Sequence, residues 1–198
     1  MKIMPRKVVF TKEQIKDLAF KLVDEEGMDH LSIRQLAKAL KSSVAPIYSN
    51  FKDFIDLREA VIEEINQKAL VLAKQTQTGD PLKDIGAASI RFAIKHPKLF
   101  QDYIFGKYVF KENDDLNVFV LESIKKDIRL QSLPEGLILS YLEKMRIYQI
   151  GISVLASSST LNHHSELELN QMLEEASQAF IHAVQNEHFF NREQQDEC

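Results

Sequence analysis

The chain has 198 residues, of which 44% are hydrophobic, and a formal net charge of −4. This length and composition allow a sizeable buried core, and the overall acidity argues against a surface that binds polyanions everywhere. No apolar run approaches the ~20 residues that a membrane span needs. The single cysteine, Cys198, excludes a disulfide framework. The basic N-terminus lacks the apolar segment of a signal peptide, so we expect a cytoplasmic protein without a membrane partner.

The first predicted element is an amphipathic helix over residues 12–26. Thr11 and Gln14 have the spacing of a capping box, which satisfies backbone N–H groups where a helix begins. Gly27 follows the last apolar position and predicts the end of the helix. The apolar positions recur with helical spacing at Ile15, Leu18, Ala19, Leu22 and Val23.

Residues 31–52 predict two short helices joined by a tight turn. Ser32 and Gln35 form a second capping box, and Ser43 can cap the following helix. Ile47 is expected to point inward. A short, slim helix held by a partner helix has the dimensions that the major groove of DNA admits. The residues left on its outer face are small or polar: Val44, Ala45, Pro46, Ser49 and Asn50.

Charge is distributed unevenly along the chain. Residues 1–52 carry ten Lys and Arg against six Asp and Glu, whereas residues 53–198 carry fifteen against twenty-three. A chance distribution of surface charge is the simplest alternative. Together with the two short helices, however, the asymmetry favours a DNA-binding head on a body that does not bind DNA.

The rest of the chain is predicted to be helical, because the alternation typical of strands is absent. We expect an all-α protein of about nine helices. It divides into a helix-turn-helix domain at 1–52, a helical effector-binding and dimerisation domain at 53–190, and a polar tail at 191–198. The helices predicted after the first three cover residues 53–75, 81–95, 97–107, 116–131, 135–157 and 165–187.

The segment from Glu26 to Ala37, followed by Tyr48-Ser49-Asn50-Phe51-Lys52, resembles the DNA-binding domain of the tetracycline-repressor (TetR) family. One departure is Lys41, at a turn position where that family usually has glycine, so we expect Lys41 to adopt a conformation that glycine accepts more easily, at a cost of ~1 kcal/mol if its φ is positive. We expect polar and basic residues to hold phosphates and small residues to meet base edges. The candidate DNA-binding residues are Arg34, Lys41, Ser43, Val44, Ala45, Pro46, Tyr48, Ser49, Asn50 and Lys52.

The last two long helices are candidates for self-association. The resemblance implies a two-fold homodimer through these helices, binding a pseudo-palindromic double-stranded operator. The alternative is that their apolar stripes face the core of the same chain. The stripes consist of Ile138, Tyr141, Leu142, Met145, Tyr148, Ile152 and Leu155, and of Leu169, Met172, Leu173, Ala176, Phe180, Ala183 and Val184.

Aromatic residues are concentrated between positions 92 and 119. The resemblance implies that the body encloses a pocket, and its composition would suit a small hydrophobic or amphipathic effector. For each residue, an ordinary place in the core is the alternative. We predict no cofactor beyond such an effector. The candidate effector-binding residues are Phe92, His96, Phe100, Tyr103, Phe119, Tyr148 and Gln149.

Neither catalysis nor metal binding is indicated. His163 and His164 precede Glu166 without a second ligand cluster, and the chain has neither a glycine-rich phosphate loop nor a nucleophile elbow. We therefore predict a ligand-responsive transcriptional repressor and no enzyme. The alternative is a helical adaptor that binds only proteins, which would leave the shape and charge of residues 31–52 unexplained.

Overall fold

The computed structural model describes residues 10–75, 78–111, 114–158, 160 and 163–196, with the backbone alone from 189 onward. Cys198 and the last part of the predicted polar tail therefore lie outside the described residues. Within them the chain is entirely helical, which confirms the predicted all-α fold. One turn of 3₁₀-helix, Met28–His30, follows the first of the α-helices. The α-helices are α1 Lys12–Glu26, α2 Ile33–Ala39, α3 Ala45–Asn50, α4 Phe54–Gln75, α5 Pro81–Lys95, α6 Pro97–Ile104, α7 Asp115–Lys125, α8 Glu135–Ser157 and α9 Glu166–Asp196.

Capping groups fix the ends of α1 where the sequence predicts them. The Thr11 hydroxyl accepts from the Gln14 N–H at 3.2 Å, and the Gln14 side chain accepts from the Thr11 N–H at 3.0 Å. Gly27 ends the helix with a φ of 93°. A side chain at this position would be strained, and its Cβ would stand 3.1 Å from a carboxylate oxygen of Asp102.

Two helix boundaries differ clearly from the prediction. Helix α7 ends at Lys125 instead of residue 131, because a turn built on Asp127 follows it. The buried Asp127 carboxylate accepts from the Arg129 N–H and guanidinium, each at 2.9 Å, and this local bonding competes with helix continuation. Helix α9 continues to Asp196, nine residues beyond its predicted end at residue 187.

Helix α4 lies between the N-terminal helices and the body. It packs against α1 on one side and against α5 and α7 on the other. Glu64 of α4 bridges Lys16 of α1 at 2.8 Å and Lys68 at 3.1 Å. One cluster of buried side chains runs from Ile15 through α4 to Phe100, so the head and the inner body share a continuous core. The domain boundary at residues 52 and 53 stays a prediction.

Helices α8 and α9 pack against each other and against α5. Gly86 of α5 permits this close approach, since a Cβ there would lie 2.2 Å from Leu173. Most residues of the two predicted association stripes are buried or half-buried within the chain; Leu155 and Ala183 are exposed. The stripes are therefore chiefly core, because they cover α5 and each other. None of the described helices is both long and apolar enough to cross a membrane.

Candidate nucleic-acid interface and ligand cavity

The turn between α2 and α3 is a Schellman motif with lysine at the left-handed position. The N–H of Ser42 donates to the Ala37 carbonyl and the N–H of Lys41 to the Lys38 carbonyl, each at 3.0 Å. Lys41 has a φ of 52°, as its place in the turn predicts. These two bonds fix the path of the chain from α2 into α3.

Helix α3 presents most of its surface outward. Ile47 is fully buried and anchors the helix, whereas Val44 is 39% exposed and Tyr48 is 55% exposed. Ala45 and Ser49 are exposed as well, and Pro46 is half-buried. Because these side chains are exposed, α3 is accessible to a binding partner.

Two of the predicted site residues are placed differently from expectation. Ser43 is exposed, but the residue before α3 is Val44, and the Ser43 hydroxyl accepts only from the Ala45 N–H at 3.4 Å. Asn50 is half-buried. Its amide nitrogen donates to the Pro46 carbonyl at 2.8 Å and to the Phe10 carbonyl at 3.2 Å, so Asn50 joins α3 to the start of α1 instead of facing outward.

Exposed cations lie on α2 and on the segments just before and just after α3 in the chain. Arg34, Lys41 and Lys52 are exposed, and none of them forms an ion pair with the part of the chain that the structure describes. The sequence reasoning missed Lys38, which is also exposed and unpaired there. The sequence signal for Lys38 was its four-residue spacing from Arg34, since residues four apart share one face of a helix. Cations of this kind can bind phosphates without breaking an internal contact.

A cavity of about 390 Å³ lies in the body between α4, α5, α6, α7 and α8. Its walls are mainly apolar and aromatic. Four of the residues predicted to bind an effector line it: Phe92, Phe100, Tyr103 and Gln149. The sequence reasoning missed Arg146, which also lines the cavity; its signal was its position on α8, one turn before Ile150 on the same face.

The other three candidates lie outside the cavity lining. His96 forms a 2.8 Å contact from Nδ1 to Asp24 of α1, because its position at the end of α5 turns it towards the head. Tyr148 packs edge-on against Phe180 between α8 and α9. Phe119 is half-buried on α7, whose cavity-facing side is formed by its neighbour Val120.

Polar contacts connect the cavity wall to the head. Asp102 of α6 is buried, and its carboxylate accepts from the Met28 N–H at 2.5 Å. Lys107 bridges Asp102 at 3.0 Å and Asp29 at 2.5 Å. Since Phe100 and Tyr103 of the same helix line the cavity, α6 contacts both the cavity and the turn that follows α1.

Sequence comparisons find regulators of transcription. No family model matches the chain. It is 35% identical over 60 residues to HTH-type transcriptional regulator SAB2452 of Staphylococcus aureus strain bovine RF122 / ET3-1, a match that spans 30% of this chain and 32% of that protein. It is 26% identical over 146 residues to HTH-type transcriptional regulator SAR2658 of Staphylococcus aureus strain MRSA252, spanning 62% of this chain and 77% of that protein.

Solved structures share the fold. A TetR variant from Acinetobacter baumannii AYE, in complex with minocycline, superposes with a TM-score of 0.60 at 17% identity over 88% of this chain and 98% of its own. A TetR-like regulator from Rhodococcus sp. RHA1 superposes with a TM-score of 0.56 at 16% identity. The superposition covers 88% of this chain and 96% of that structure's chain. The fold is therefore that of the TetR-like regulators, and the resemblance is confirmed at this level. The curated relatives that match the chain are regulators of transcription, and the first of them is matched over 32% of its length.

Proposed function

We propose that this chain is a ligand-responsive transcriptional repressor that binds a pseudo-palindromic DNA operator as a homodimer. The observation that carries the proposal is the exposed helix α3. It is anchored by the buried Ile47, fixed by the turn at Lys41, and bordered by unpaired cations. A cytoplasmic location accompanies this proposal.

The division of contacts follows from the chemistry of the exposed groups. Lys41, Lys52 and Arg34 are suited to phosphates, as is the Tyr48 hydroxyl. Val44 and Ala45 are small and apolar, and such side chains suit the methyl groups of thymine. Ser49 has its hydroxyl bonded to the Ala45 carbonyl at 2.9 Å, so its hydroxyl oxygen remains available as an acceptor from a base edge.

Dimerisation is proposed through the outer face of α8 and α9. Ile147 and Leu155 are exposed on neighbouring parts of the α8 surface, and Ile147 is 68% exposed. Gly151 lies between them, and a Cβ there would meet nothing within 4 Å, so a second helix can approach closely. A two-fold dimer would place two α3 helices about one DNA turn apart, at ~34–36 Å.

Ligand response is proposed through α6. A ligand that fills the cavity contacts Phe100 and Tyr103, and the same helix holds the Met28 N–H through Asp102. A shift of α6 would therefore alter the placement of the head. Release of DNA requires only that the ligand favour the non-binding arrangement by a few kcal/mol.

DNA binding can be tested with the whole chain. Sequences selected from random duplex DNA are measured by fluorescence anisotropy at several salt concentrations. We expect sequence-specific binding with a Kd of roughly 10⁻⁸ M or tighter at physiological salt. Tyr48→Ala should weaken selected and unrelated sequences alike, and Lys52→Gln should lower the salt slope by about 1. Lys125→Gln on α7 is the matched control, and absence of any sequence-selective binding would refute the proposal.

A further inference from the structure

Most polar groups in the cavity wall already have partners. Tyr108 donates to a backbone carbonyl at 2.8 Å, Tyr141 shares a hydrogen bond with a serine at 2.7 Å, and Asn117 donates to a carbonyl at 2.8 Å. Gln149 donates to the Ser89 hydroxyl across the cavity. Burial raises the pKa of the Tyr108 phenol far above its ordinary value, so this group stays neutral. These side chains therefore have little bonding capacity left for a ligand.

Two of the polar residues that line the cavity have no side-chain partner among the described residues. Arg146 and Tyr103 have neither a hydrogen bond nor an ion pair from their side chains to any residue that the structure describes. Arg146 is the one charged residue among those that line the cavity. It is exposed, which places it at the opening. Tyr103 stacks on Phe110 with ring centroids 5.3 Å apart, so its ring is held at the wall.

The charge of the wall favours an anion. No carboxylate lines the cavity to neutralise Arg146, and a guanidinium pairs with a carboxylate through two parallel hydrogen bonds. The remaining wall is apolar and suits a hydrocarbon chain. A volume of 390 Å³ equals about 13 water volumes of ~30 Å³ each, which is room for a molecule of roughly a dozen non-hydrogen atoms.

From these observations we propose that the cavity binds an amphipathic carboxylate of about ten carbons. Arg146 binds the head group at the opening, and the chain lies among the aromatic side chains of α5 and α6. This inference deepens the proposed function, because it rests on the cavity being the effector site. It adds the chemical class of the ligand and the residue that selects it.

The experiment is isothermal titration calorimetry on the whole chain without DNA. The probes are decanoate, decylammonium and decan-1-ol, which share one hydrocarbon chain and differ in head-group charge. We expect decanoate to bind at least ten times more tightly than decylammonium. Arg146→Gln should weaken decanoate about tenfold, as loss of a charged hydrogen bond implies, and should leave decan-1-ol unchanged. Lys144→Gln, an exposed cation on α8 that does not line the cavity, is the matched control.

Three results of the calorimetry would overturn the proposal. They are absence of decanoate binding at millimolar concentration, equal binding of decanoate and decylammonium, and an unchanged decanoate affinity in Arg146→Gln. DNA release is measured separately by anisotropy with each probe. If decanoate binds through Arg146 and DNA stays bound, the ligand class stands and the ligand-responsive part of the proposed function fails. If DNA binding itself is absent, calorimetry still decides the ligand class.

Discussion

The substitution Lys41→Gly isolates the energetic consequence of the turn that sets helix α3. A left-handed conformation costs an L-residue about 1–2 kcal/mol, and Lys41 adopts one with a φ of 52°. Glycine removes this cost but loses about 0.5–1 kcal/mol through its greater freedom in the unfolded chain. The net gain in the free energy of unfolding is therefore about 0–1.5 kcal/mol. For a chain of this size the central value of about 0.8 kcal/mol raises the Tm by about 2–3 °C.

The same substitution removes a cation next to the proposed DNA interface. We therefore expect Lys41→Gly to be more stable than the parent chain and to bind DNA more weakly, with a salt slope lower by about 1. Differential scanning calorimetry measures the first effect and anisotropy at several salt concentrations the second. Lys41→Gln separates the two, because glutamine carries no charge but keeps the side chain that is strained in the left-handed region.

Lys38→Gly is the matched control for the turn. Lys38 lies in the last turn of α2 with helical backbone, so glycine there should lower the free energy of unfolding by up to about 1 kcal/mol. The reasoning is refuted if Lys41→Gly lowers the Tm as Lys38→Gly does. An unchanged salt slope in both Lys41 variants would remove Lys41 from the DNA interface.

Four further predictions concern other parts of the molecule. Asn66 is buried, and neither of its amide atoms has a partner among the described residues, so Asn66→Leu should raise the free energy of unfolding by about 1–2 kcal/mol in urea titrations, and a decrease would contradict this. Asp102→Ala leaves the buried Met28 N–H unpaired and should cost about 1–3 kcal/mol by the same method, whereas no change would exclude the contact as a stabilising one. Ile147→Lys should convert a dimer to monomer in sedimentation, and a persistent dimer would place the interface elsewhere. Ala45→Gln should change the preferred base at one operator position in binding selections, and an unchanged preference would remove Ala45 from base contact.

Local signals in the sequence predicted the local structure well. The capping box at Thr11 and the glycine at position 27 define both ends of α1, because these groups act within one helical turn. The predicted start of α5 at residue 81 is confirmed as well, because Asp80 accepts from the Lys83 N–H at 3.1 Å and Pro81 takes the first helical position. Lys41 has a φ of 52°, a conformation that glycine accepts more easily, as its place in the turn led us to expect. Such features need no knowledge of distant contacts.

Features that depend on distant parts of the chain were harder to predict. Asn50 resembles an exposed polar residue in the sequence, but its partner, the Phe10 carbonyl, is forty residues away. His96 likewise contacts a residue that is distant in the sequence, Asp24 of the head. The apolar stripes of α8 and α9 have helical periodicity, yet periodicity alone does not distinguish a helix that covers its own chain from one that covers a second copy. The exposed fraction of each side chain in the structure shows which residues of the stripes cover the same chain.

The most direct test of the central claim, that α3 is a DNA-reading helix in a two-fold assembly, is hydroxyl-radical footprinting of the whole chain on a selected operator. We expect two protected segments whose centres lie about 10–10.5 base pairs apart, one for each α3 helix. Both should disappear in Tyr48→Ala at a concentration where the parent chain protects fully. A single protected segment, two segments at another spacing, or a footprint unchanged by Tyr48→Ala would contradict the role of α3 as a DNA-reading helix in a two-fold assembly.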